Sequence, residues 1–173
     1  MLRPGRGRGR QTPVTEDNIW TAAFEAIDRA FAGPPRPEKF TDHPYCEECA
    51  DAHEYFSAFT PITLADVTDP PETLGISFLT DDAFVYLLPG MLRWMTRTGT
   101  QYCVGDMLFH VENRLPALSP EQRSALRDFL YLVYDRLHDR IHETAFDYPM
   151  LWRILNELDG PQSIPPPEEG LSG

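Results

Sequence analysis

Apolar side chains recur at every third or fourth position along most of this chain, the spacing that gathers them on one face of an α-helix. Ile19, Trp20, Ala23, Phe24, Ile27, Ala30 and Phe31 make the first such stripe. Thr15 precedes it as an N-cap, Glu16 and Asp17 occupy the first turn, and Val14 can staple onto Ile19. Gly33 and the prolines that follow are stop signals. A linker from 34 to 44 then leads to a short helix containing Cys46 to Phe59, and residues 60–75 read as a proline-rich packed loop with one helical turn near Leu64.

The second half repeats the pattern with clearer punctuation. Thr80 caps a helix opening on Asp81 and Asp82, whose stripe is Phe84, Leu87, Leu88, Met91, Leu92 and Met95. Pro89 lies inside it and lacks the amide that would bond to Val85, so a kink or a split is expected there. Gly99 ends that element. Val104, Met107, Leu108, Val111 and Leu115 mark the next helix. Ser119, Pro120 and Gln122 form a capping box with proline at the first helical position, opening a long helix with a seam of Leu126, Phe129, Leu130, Val133, Leu137 and Ile141. Leu151, Trp152, Ile154, Leu155 and Leu158 supply a terminal helix closed by Gly160. No segment alternates as a central strand does. The pattern predicts an all-α single compact domain of about six helices over residues 14–159. A disordered Arg/Gly leader (1–13) and a disordered proline-rich tail (160–173) flank it.

Length and charge narrow the function classes. A chain of 173 residues suits one domain. No apolar run reaches the roughly 18 residues a membrane span needs, and the leader's arginines precede no apolar h-region. Membranes are therefore not expected as partners. The net charge is −12, and setting aside the four arginines of the first ten residues takes the remainder to −16. An acidic body repels nucleic-acid phosphates and suits a protein partner with a basic surface. The Arg-Gly leader is the one segment that could touch nucleic acid, and its composition fits an unstructured leader better.

Four blocks carry a likeness to known sequences: FEAIDRAF (Phe24–Phe31), CEEC (Cys46–Cys49), ISFLTDDAFVYLLPGML (Ile76–Leu92) and LSPEQRSALRDFL (Leu118–Leu130). With these in this order, the chain resembles a mostly bacterial family known only as a domain of unknown function. The resemblance implies a helical domain over most of residues 24–158. It brings no activity, substrate or catalytic residue.

The pointed chemistry is the run His43, Cys46, Cys49 and His53, an HxxCxxCxxxH pattern. With Cys46 opening a helix, Cys46 and Cys49 share a face and His53 follows one turn later, while His43 can swing back because it precedes Pro44. Four nitrogen and sulfur donors would make a closed structural site for one Zn²⁺. The same CxxC could be a redox dithiol whose first sulfur sits near a helix N-terminus, although the two glutamates oppose thiolate formation. The plain reading makes the thiols small buried hydrophobes and the histidines surface groups. Three cysteines and no secretory signal point to a reducing, cytoplasmic compartment, and Cys103 has no local partner.

Other candidates are weaker. His138, Asp139, His142 and Glu143 echo the HExxH zinc-protease pattern, but Asp139 is one methylene shorter than the usual base and the charges around it suit a solvated helix face. His110 reads as a boundary residue. The stripe from Phe84 to Met95, with Trp94 beside it, is either a partner groove or core, and core is favoured. No glycine-rich phosphate loop, nucleophile elbow or carboxylate pair appears. The sequence thus predicts a non-enzymatic, acidic helical interaction module, immunity- or antitoxin-like in character, with a small zinc site as an option. The alternative is a metal- or thiol-dependent enzyme built on the HxxCxxCxxxH cluster.

Overall fold

The computed structural model describes residues 16–43, 45–67, 75–98, 101–142 and 147–160, with the side chains of 16–17, 97–98, 101–106, 138–142 and 147–148 outside that description. Seven α-helices follow in order: α1 (Glu16–Ala30), α2 (Glu47–Ser57), α3 (Pro61–Ala65), α4 (Asp81–Thr98), α5 (Gln101–Arg114), α6 (Pro120–His142) and α7 (Asp147–Asp159). Two 3₁₀ turns, Ile76–Phe78 and Leu115–Ala117, join them. The described residues hold no strand beyond an isolated antiparallel bridge between Thr41 and Leu79. The all-α fold stands, and the helix beyond the expected six is α3, the predicted turn at Leu64 drawn out by a capping box between Thr60 and Thr63 with proline at its start.

Local capping signals place the helix starts. The Thr80 hydroxyl accepts the Ala83 amide at 3.1 Å. Ser119 and Gln122 cap each other, at 2.9 Å from the Ser119 amide to the Gln122 side chain and 3.2 Å in return. Gly160, at φ +81°, follows α7 in the left-handed region that a glycine adopts freely. Gly33 behaves otherwise. Helix α1 stops at Ala30, before reaching it, and Gly33 has no positive φ. The expected caps at Thr15 and Gly99 and the leader lie outside the described residues, as does the tail beyond Gly160.

Helix α4 is the hub. It runs unbroken through Pro89, which is itself buried, and Phe84, Leu87, Leu88, Met91, Leu92, Trp94 and Met95 are all inside. That stripe is core, not a partner groove. Helices α1, α3 and α5 pack on α4, while α7 closes against α5 and α6. At Gly90, α3 comes so close that an added Cβ would lie 2.2 Å from the Pro61 carbonyl oxygen. Helix α1 contributes a thinner layer. Its Trp20 and Phe24 are half-buried and meet Phe129 of α6 at ring separations of 6.0 and 5.6 Å. Arg93 of α4 forks onto Asp28 at 2.8 and 2.5 Å with its guanidinium over the Phe24 ring.

Where α6 meets α7, the Tyr131 hydroxyl donates to the Asp159 carboxylate, and Arg127 lies 3.6 Å from the same residue. That hydrogen bond, with burial and the Asp159 charge behind it, pushes the Tyr131 phenol up to about 12 from 10.0. The folded state therefore holds this proton more tightly than the unfolded chain. Its contribution is whole below pH 10 and is lost as pH climbs through about 12. Tyr131→Phe should cost about 1 kcal/mol at neutral pH. In urea titrations it should also flatten the loss of stability that the parent shows between roughly pH 10 and 12. Equal alkaline slopes for the two proteins would refute this.

Candidate functional site

The four residues of the HxxCxxCxxxH run fall around the start of α2. Cys46 is the N-cap, with extended backbone (φ −92°, ψ 126°), and its carbonyl accepts the Ala50 amide at 2.9 Å. It is half-buried, and its thiol donates to the Glu48 carboxylate at 3.0 Å. Cys49 is buried, and its carbonyl accepts the Thr41 hydroxyl at 3.0 Å. Both thiols are free. Burial pushes the Cys49 thiol up, and hydrogen-bonding contact with the Cys46 side chain, the Cys46 charge and the Glu48 carboxylate add to it.

The histidines go elsewhere. His43 is exposed, and its carbonyl accepts the Cys46 amide at 3.2 Å. The His53 ring meets Phe40 edge to face, and its Nδ1 accepts the Phe40 amide at 3.3 Å. A neutral imidazole that accepts at Nδ1 carries its proton on Nε2, so neither nitrogen offers a lone pair to a metal in this arrangement. Among the described residues, no three His, Cys, Asp or Glu side chains form a group that could hold a metal ion. The fold thus sets Cys46 and Cys49 three residues apart at the start of α2 and spends His53 on the linker backbone. As placed, the two histidines are not gathered with the two thiols.

A second place was not legible as a motif. The 34–43 linker is stitched to the start of α4 by the Thr80 amide donating to the Phe40 carbonyl at 2.9 Å and by the Thr41–Leu79 bridge. Arg36 anchors the linker from below, donating to the carbonyls of Phe59, at 3.1 Å, and Ser57. Between linker and helix lie two adjoining recesses. One, of about 570 Å³, is open and polar and is lined by Glu38, Lys39, Asp42, Thr80, Asp81 and Asp82. The other, of about 460 Å³, has a floor of Pro34, Pro35, Pro37, Val85 and Leu118. They share Pro37, Asp81 and Asp82, so one groove with an apolar floor and an acidic rim runs past the N-terminus of α4.

Arg114 holds this end of α4 in place. Its Nη2 donates to the Leu79 carbonyl at 2.8 Å, and its guanidinium lies 4.8 Å from the centre of the Phe84 ring. Its Nε is 3.3 Å from the Asp81 carboxylate, in charge contact but not aligned for a hydrogen bond. Its Nη1 lies 3.3 Å from Nδ1 of His110, the buried histidine expected at a boundary. Nothing in the spacing around Arg114 distinguishes it from other helix-end arginines, because Leu79, Asp81 and Phe84 come from thirty or more residues away.

The remaining candidates can be placed only in part. His138, Asp139 and His142 belong to the last turns of α6, but their side chains, Glu143 and the side chain of Cys103 lie outside the description. No helix of the described residues is long and apolar enough to cross a membrane. Compared with known proteins, the chain matches no family model, no curated protein and no solved structure.

Proposed function

We propose that the protein is a cytoplasmic, non-enzymatic interaction module whose groove beside the α4 N-terminus receives a basic segment of another protein. The observation that carries this reading is the pairing of an apolar floor with a rim of Glu38, Asp42, Asp81 and Asp82 in a chain already strongly acidic. Apolar contact would supply adhesion, and the rim charges would select positive partners and speed their encounter. Small acidic proteins that occupy a basic partner are typified by immunity and antitoxin proteins, and the reading takes that type. Zinc at the α2 start enters this picture only if His53 gives up the Phe40 amide for the metal.

A designed peptide alternating lysine or arginine with leucine is the probe. Calorimetric titration should show binding that weakens steeply as salt rises past about 0.1 M, where the screening length falls to about 10 Å. Glu38→Gln combined with Asp82→Asn should weaken it about tenfold at low salt, equivalent to about 1.4 kcal/mol. Absence of binding, binding indifferent to salt, or an unchanged double variant would each overturn the assignment.

A further inference from the structure

We propose that Cys46 and Cys49 form a thiol–disulfide exchange site, closing reversibly into an intrachain disulfide at the start of α2. The inference is independent of the groove and rests on how the fold disposes two sulfurs. Residues three apart in a helix lie about 5–6 Å apart at Cβ, slightly beyond the roughly 3.5–4.5 Å that a disulfide spans. Here Cys46 is not helical. Its extended φ and ψ place it at the N-cap, three residues before Cys49, where its side chain is not held to the helical direction. Closing the bond then asks for side-chain rotation in a turn that the Thr41 hydroxyl, donating to the Cys49 carbonyl, ties to the linker.

The two sulfurs also divide the roles that exchange requires. Cys46 is half-exposed beside the fully exposed Tyr45, so an incoming disulfide can reach it. Cys49 is 2 % exposed and is reached only through Cys46. The oxidant is a disulfide of the glutathione class, RSSR. Cys46 gives its proton to solvent by way of the Glu48 carboxylate that accepts it, and its thiolate attacks one sulfur of RSSR. The S–S bond of RSSR breaks, a Cys46–S–SR mixed disulfide forms, and RS⁻ leaves. The Cys49 sulfur then attacks Cys46, its proton passing to solvent, the Cys46–SR bond breaks and a second RS⁻ leaves. Two protein thiols are oxidised, RSSR is reduced to two RSH after protonation, and the first thiol to react is fixed by access. Burial of the second keeps it a thiol until the mixed disulfide forms next to it.

The test exposes the full chain to glutathione disulfide, followed by digestion and mass spectrometry. Trypsin leaves Cys46 and Cys49 together on the peptide from Phe40 to Arg93 and Cys103 on another, so the sites are read separately. Wild type should lose two hydrogen masses on the first peptide and regain them with excess reduced glutathione. Cys49→Ser should instead trap glutathione on Cys46, and Cys46→Ser should leave Cys49 unmodified, at least about tenfold slower than Cys46 to react because a buried thiol is shielded. A circular-dichroism spectrum matching wild type shows that each variant is folded, and iodoacetamide labelling of Cys46 alone in the untreated protein gives the same ordering by an independent route. Stoichiometric zinc in the purified protein that protects both thiols, no Cys46–Cys49 linkage in wild type, or equal modification of the two single variants would overturn the proposal.

Discussion

Gly90→Ala is expected to lower stability by about 3 kcal/mol, against the usual direction for a glycine inside a helix. In an exposed helix the same change would gain about 1 kcal/mol, because alanine has less backbone entropy to lose. Here the added methyl would stand 2.2 Å from the Pro61 carbonyl oxygen and 3.1 Å from the Leu64 Cβ. The first contact is with backbone, at the capped start of α3, and cannot be relieved by turning a side chain. Either α3 moves off α4 or the helix bends, and such overpacking typically costs about 1–3 kcal/mol and occasionally more. In a domain of this size, about 3 kcal/mol lowers the thermal midpoint by roughly 6–12 °C. Gly33→Ala is the control, because nothing lies within 4 Å of its added Cβ and its φ is not positive. A Gly90→Ala protein that melts at or above the parent would show that α3 is free to shift.

Arg114→Met should be the most damaging change to a charged residue. It keeps much of the packing along the side-chain stem but leaves the Leu79 carbonyl without its 2.8 Å donor and removes the cation from the Phe84 face. A hydrogen bond to a charged donor contributes about 1.5–3 kcal/mol. The ion pair adds little, since the Asp81 side chain is 69 % exposed and such pairs contribute about 0–1 kcal/mol. The expected total is about 2–3 kcal/mol by denaturant unfolding. Arg114→Lys should recover only part of this, because an ammonium cannot fork toward Leu79, Asp81 and His110 from one planar group. The loss should also reach the groove. Leu79 and Asp81 line it and hang on Arg114, so binding of the basic probe peptide should weaken in step with stability. Full recovery by lysine would contradict the forked geometry.

How much of this was written locally can be seen element by element. The capping residues Thr80, Ser119 with Gln122, and Gly160 act on amides a few positions away or on their own backbone, so their role is readable from neighbours in the chain. The stripe from Phe84 to Met95 is likewise self-evident as a face, and its width indicates burial. The stop expected at Gly33 and the prolines comes a few residues early, with α1 ending at Ala30, because stop signals mark a region rather than a residue. Spacing also put His53 with the cysteines. It set the turn of the helix correctly but not the ring, which the Phe40 amide captures from thirteen residues away.

Periodicity and caps by themselves fixed the all-α class, the order of the long helices and the adjacency of Cys46 and Cys49, because each depends on interactions within about one helical turn. Only the tertiary structure decided that α3 grips α4 at Gly90, that Arg114 ties the start of α4 to the end of α5, and that the linker and α4 enclose an acidic groove. Those features arise from contacts between segments distant in sequence, where which residue meets which is set by the packing of whole helices and leaves no mark in the spacing of any one of them.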